Sequence, residues 1–80
     1  MWSLRYTADA TAGIHLVPRG AAAEVTAAIR ALLRVPLPDE ATPEPSGRPN
    51  TYVLTVMEYS ITYELIEQGQ IIKILLVEEA

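Results

Sequence analysis

Five side chains in the second half of this 80-residue chain have the type and spacing to do chemistry: Arg48, Tyr52, Tyr59, Tyr63 and Lys73. Arg48 stands between Gly47 and Pro49, at the entry to a predicted strand. A guanidinium there can grip a phosphate or a carboxylate through two parallel hydrogen bonds; the alternative is an ordinary solvated arginine. The three tyrosines fall on adjacent predicted strands, where they can meet as cross-strand neighbours. They suit core packing with hydroxyls at the rim, or a platform on which nucleic-acid bases stack; the platform needs cations beside it. Lys73 is the one base of the closing stretch "MEYSITYELIEQGQIIKILLVEEA", against Glu58, Glu64, Glu67, Glu78 and Glu79.

Other chemistries lack their parts. His15 is the single histidine, and nothing around it supports a triad with Asp9 and Ser3, Ser46 or Ser60. One histidine and scattered glutamates do not make a metal site. With no cysteine, disulfides, zinc–thiolate sites and thiol catalysis are excluded. "SGRPN" has one glycine and no helix start behind it, so it is not a phosphate-binding loop. No catalytic residue, metal or cofactor is therefore expected.

The net charge of −4 is unevenly placed. Residues 1–34 hold four arginines (Arg5, Arg19, Arg30, Arg34) against Asp9 and Glu24, whereas the closing stretch is strongly acidic. Phosphate neutralisation by clustered Lys and Arg supplies most of the affinity of nucleic-acid binders. Only the first half could offer that, and the second would repel a phosphate backbone, so no direct nucleic-acid partner is expected. No basic-then-apolar leader opens the chain, because Arg5, Asp9 and His15 interrupt it. The most apolar stretch, Ala21 to Leu33, is too short to span a bilayer, which takes about 20 residues. These features and the lack of cysteine point to the cytoplasm, with no membrane contact.

The elements that must position these residues read as follows. "SLRYTA" alternates with period two, which predicts a strand over residues 2–7. Asp9 can cap a short helix from Ala10, though Gly13 and the β-branched Ile14 and Val17 weaken it. Pro18 and Gly20 mark a turn. "AAAEVTAAIRALLR" is the strongest helix, with Val25, Ile29, Leu32 and Leu33 on one stripe, and the two helices form an αα-hairpin. Residues 35–50 hold five of the six prolines and read as a long loop within a single domain of residues 1–80. Three antiparallel strands then follow as a meander. Tyr52, Leu54 and Val56 share one face of the first, and Tyr59, Ile61, Tyr63 and Leu65 one face of the second. Met57-Glu58 and "EQGQ" make the turns, with Gly69 supplying a positive φ. "IIKILLV", apolar on both faces, belongs inside the sheet. The expected fold is α+β: an N-terminal strand, an αα-hairpin and the meander, with the helices on one face of the sheet.

This pattern resembles the RelE/ParE superfamily of toxin–antitoxin toxins over residues 3–77. "LRYTADATAGIHLVP" is similar to that family's opening strand and first helix, and "AAAEVTAAIRALL" to its second helix. "GRPNTYVLTVMEYSITYELIEQG" resembles its loop–strand–turn–strand stretch with tyrosines. The resemblance implies an antitoxin partner and, in the nuclease branch, cleavage of mRNA in the ribosome by cations on the sheet, often with a terminal Tyr, His or Arg. This chain departs from that pattern. Ser60 follows the strand-opening Tyr59 where the family has arginine, Val53 and Thr55 stand where lysines are usual, and the chain closes on "VEEA". Losing one transition-state donor typically removes about 3 kcal/mol of catalysis, and several are missing. The expectation is a RelE/ParE-like module that binds a protein, either an antitoxin-like segment or a second copy as a homodimer, and has no nuclease activity. The alternative is an active toxin: an endoribonuclease acting at the ribosome, or a gyrase inhibitor.

Overall fold

The computed structural model describes residues 1–80. In chain order the elements are β1 (Ser3–Tyr6), α1 (Ala8–Leu16), α2 (Arg19–Ala31), β2 (Thr42–Pro43), β3 (Thr51–Val56), β4 (Tyr59–Ile66) and β5 (Ile71–Glu79). They make one five-stranded sheet in the order β1-β5-β4-β3-β2. The β3–β4–β5 meander is antiparallel, and β1 runs parallel to β5, with Leu4 opposite Ile72 and Tyr6 opposite Ile74. A parallel pair needs a crossover connection, which the two helices supply. The expected α+β architecture is present.

Alternation decides which side chains face the helices. Ile61 and Tyr63 on β4, and Ile72 and Ile74 on β5, are fully buried and meet Val25, Ile29 and Leu32 of the α2 stripe. The inward alternation of β5 changes parity once. Thr62 lies opposite Leu76 while Tyr63 lies opposite Ile74, so Leu75 is an extra residue in a β-bulge. Beyond it, Val77 rather than Leu76 turns into the core.

Three expectations need correction. The 35–50 segment is not wholly loop: Thr42–Pro43 pair antiparallel with Val53 and Tyr52, which adds a fifth strand at the sheet edge. Proline is tolerated there because an outer strand need not donate every N–H to the ladder. The cap of α1 is Thr7, not Asp9, because the helix begins two residues earlier than expected. The Thr7 hydroxyl oxygen accepts from Ala10 N–H at 3.0 Å, and its own O–H donates to the bulged Leu75 carbonyl at 2.8 Å. Asp9 falls instead in the first turn, where its charge complements the helix dipole. Finally, α2 ends at Ala31, so Leu33 leaves the stripe and is exposed.

Gly13 is the price of close packing rather than a flaw in α1. A Cβ at this position would sit 2.0 Å from the Val77 carbonyl oxygen, so only glycine lets the helix approach β5 this closely. The two expected turns form with the required backbone, at Met57 (φ 56°) and at Gly69 (φ 85°) followed by Gln70 (φ 51°).

Candidate functional site

The five side chains singled out from the sequence lie in three separate places. The tyrosines occupy the helix-covered face. Tyr52 and Tyr63 are directly opposite on β3 and β4, with ring centroids 6.0 Å apart and planes tilted by 39°. Tyr63 has no exposed surface, and its hydroxyl donates to the Pro36 carbonyl at 2.9 Å. Burial, with a smaller contribution from Tyr52, pushes its hydroxyl up to about 12. A ring enclosed in this way offers no face on which a base could stack. Tyr59, at the start of β4, lines a cleft of about 370 Å³ with Gly13, Leu16 and Val77.

Lys73 projects from the opposite, open face. Strand pairing puts Arg5, Lys73, Glu64 and Thr51 in one row across β1, β5, β4 and β3. The neighbouring rows on that face hold Leu76, Thr62 and Val53, then Glu78, Ser60 and Thr55. The open face thus carries two cations and two carboxylates, separated by hydroxyls and aliphatic groups. Opposite charges side by side largely cancel each other's field, so no cationic cleft develops.

Arg48 is exposed in the connection between β2 and β3. That connection is organised by Glu44, whose carboxylate accepts from the Ser46 hydroxyl and from Ser46 N–H at 2.8 Å. The Ser46 hydroxyl bond first, then backbone bonds from Ser46 and Arg48 and the Arg48 charge, hold the Glu44 carboxyl below its usual range. Thr51, buried at the start of β3, donates its hydroxyl to the Pro49 carbonyl at 3.0 Å and so ties the connection to the sheet.

The feature missed by sequence reasoning is a groove of about 390 Å³ on the helix-covered side. Ala28 and Ala31 of α2 with Leu32 just past its end line one side, Leu54 and Val56 of β3 the other, and Val35 and Pro38 of the connecting segment complete the lining. Its signal in the sequence is "LRVPLP": alternate apolar residues among prolines, in a segment with no regular partner to cover them. Leu33, Val35 and Leu37 all remain exposed. No cluster of three or more His, Asp or Glu side chains is arranged to hold a metal, and no helix is long and apolar enough to cross a membrane.

No protein-family model matches the chain, and no curated protein matches it in sequence. Solved structures do match. A chain of the RelBE2 toxin–antitoxin complex from Mycobacterium tuberculosis superposes with a TM-score of 0.83 at 24% identity, over 99% of this chain and 98% of that one. The isolated RelE toxin of E. coli gives 0.87 at 15% identity, over 100% of this chain and 85% of that one. A chain of the chromosomal ParDE toxin–antitoxin system of P. aeruginosa gives 0.74 at 21% identity, over 100% and 97%. From its first strand to its last, this chain has the fold of the RelE/ParE toxins.

Proposed function

We propose that this chain is a RelE/ParE-superfamily protein of a toxin–antitoxin system that binds a protein partner and does not cleave RNA. The observation that carries the reading is the open face of the sheet, where Arg5 and Lys73 are offset by Glu64 and Glu78. RNA scission by 2′-hydroxyl attack develops negative charge on phosphate oxygens, and donors fixed around that charge supply most of the catalysis. Here the β3 and β4 positions between the two cations and the Met57-Glu58 turn hold Thr62, Val53, Ser60 and Thr55, none of them charged, and the nearest charge on β5 is the carboxylate Glu78.

The partner side of the proposal rests on the solved neighbours, several of which are toxin–antitoxin complexes. Arg19 opens α2 and Arg30 lies in its last turn, about 17 Å away along the axis, with Arg34 just beyond. An acidic amphipathic segment laid along this helix would meet a cation at each end. The absence of cysteine fits a reducing cytoplasm.

The test has two arms. Purified protein is incubated with ribosome-bound mRNA, and the chain is expressed with and without a neighbouring antitoxin-like gene. The expected result is intact mRNA, normal growth and a stable complex with the antitoxin-like protein. Scission that disappears in Lys73→Ala or Arg48→Ala would overturn the proposal. Growth arrest without scission would instead favour gyrase as the target.

A further inference from the structure

We infer that the groove between the end of α2 and the end of β3 is covered in solution by a second copy of this chain, related by a two-fold axis. The inference deepens the protein-binding reading above, but is independent of whether the chain cuts RNA.

The first observation is where the uncovered apolar surface lies. Seven large apolar side chains are exposed, and four of them, Leu33, Val35, Leu37 and Met57, line this groove or adjoin a residue that does. Val35 is 55% exposed, Leu37 49% and Met57 62%. Scattered single exposures are normal on a small protein, whereas a cluster around a concavity marks a contact surface. The β3 edge is also open here, because β2 covers it only at Tyr52 and Val53.

The second observation is charge, and it selects the occupant. Arg34 and Glu40 both line the groove, both are exposed, and neither makes a side-chain hydrogen bond within the chain. A two-fold interface is self-complementary: if Arg34 meets Glu40 of the copy, Glu40 meets its Arg34. A strongly acidic segment seated in the groove would face Glu40 with Asp39 beside it, and a strongly basic one would face Arg34. A copy with one charge of each sign satisfies both. Such rim pairs set register and partner choice, while the apolar centre supplies the affinity. The scale also fits. A standard interface takes about 800 Å² from each partner, roughly a sixth of the 5168 Å² surface, or one face of the molecule.

The experiment is sedimentation equilibrium of the full chain from micromolar to millimolar concentration. A reversible monomer–dimer equilibrium is expected. Leu37→Glu should weaken it about tenfold or more while leaving the circular dichroism spectrum and melting temperature unchanged, because Leu37 is exposed and outside the helices and strands. Arg34→Glu and Glu40→Arg should each weaken the homodimer. Mixed together, the two variants should form a heterodimer preferentially, since one pair is then restored with reversed sign and the other is the native Arg34–Glu40 pair. Three results would overturn the inference: a monomer at every concentration, a dimer indifferent to Leu37→Glu and to both charge reversals, or a monomeric chain whose binding to an antitoxin-like protein is lost in Leu37→Glu. The last leaves the proposed function standing and makes the groove the seat of the other protein. Conversely, a groove-dependent dimer that cleaves mRNA refutes the proposed function and keeps this inference.

Discussion

At the contact of α1 with β5, only a hydrogen on Gly13 separates the helix from the Val77 carbonyl. At the contact of α2 with β3, helix and strand diverge around a groove of about 390 Å³ that the exposed Val35 helps to line. Both contacts belong to the same helical layer over the same sheet. The first spends a weak helix former to gain close approach. The second uses alanines, Ala28 and Ala31, on a helix with strong propensity and leaves apolar surface uncovered. The difference sets the two ends apart: one is closely packed, and the other leaves apolar surface open.

The sharpest way to break that contrast is to enlarge a small side chain at each end. Gly13→Ala should destabilise the chain by about 2–3 kcal/mol in urea unfolding, although alanine favours helix, because backbone must move to admit the Cβ. A neutral or stabilising result would show that α1 can slide off β5 cheaply. Thr7→Ala removes both the α1 cap and the bond to the bulged Leu75 carbonyl, and should cost about 1–2 kcal/mol, with Thr7→Ser recovering most of it.

Tyr63→Phe tests the segment leading into the groove, since the Tyr63 hydroxyl donates to the Pro36 carbonyl next to the groove residue Val35. A loss of about 1 kcal/mol is expected. The same substitution changes the alkaline behaviour. Tyr63 ionises at about 12 in the folded chain against 10.0 in an unfolded one, so the unfolded state loses its proton first. Its contribution is fully present below pH 10 and is lost as pH rises from there to about 12. Tyr6, raised by burial against the opposing charge of Arg30, acts in the same direction. Alkaline titration of stability should therefore be less steep in Tyr63→Phe than in the parent, and equal slopes would contradict the enclosed hydroxyl. The smallest effect is expected at the open end. Ala28→Leu places its extra carbons in the groove and should change unfolding free energy by about 0.5 kcal/mol or less, in contrast to Gly13→Ala.

The alternations in β1, β3 and β4 and the Val25–Ile29–Leu32 stripe could be read directly, because each is a local period set by which face meets the core. Element order and turns followed from them. The candidate site was legible only in part. Sequence parity put the tyrosines on one apolar face with Leu54 and Ile61, and the expectation that the helices cover that face holds for Tyr63. Arg48 lies in a loop and Lys73 on the face opposite those rings, which only the folded chain shows.

The chain's own sequence settled the α+β plan, the acidic balance of the meander and the lack of thiol chemistry, since periodicity and residue type are properties of the chain before it folds. Only the tertiary structure decided the parallel β1–β5 pairing, the fifth strand, the bulge at Leu75, the need for glycine at position 13 and the groove beside α2. Each of these depends on residues far apart in sequence arriving at one place. Val77 forbids a side chain on Gly13 across 64 positions, and no local pattern can encode that distance.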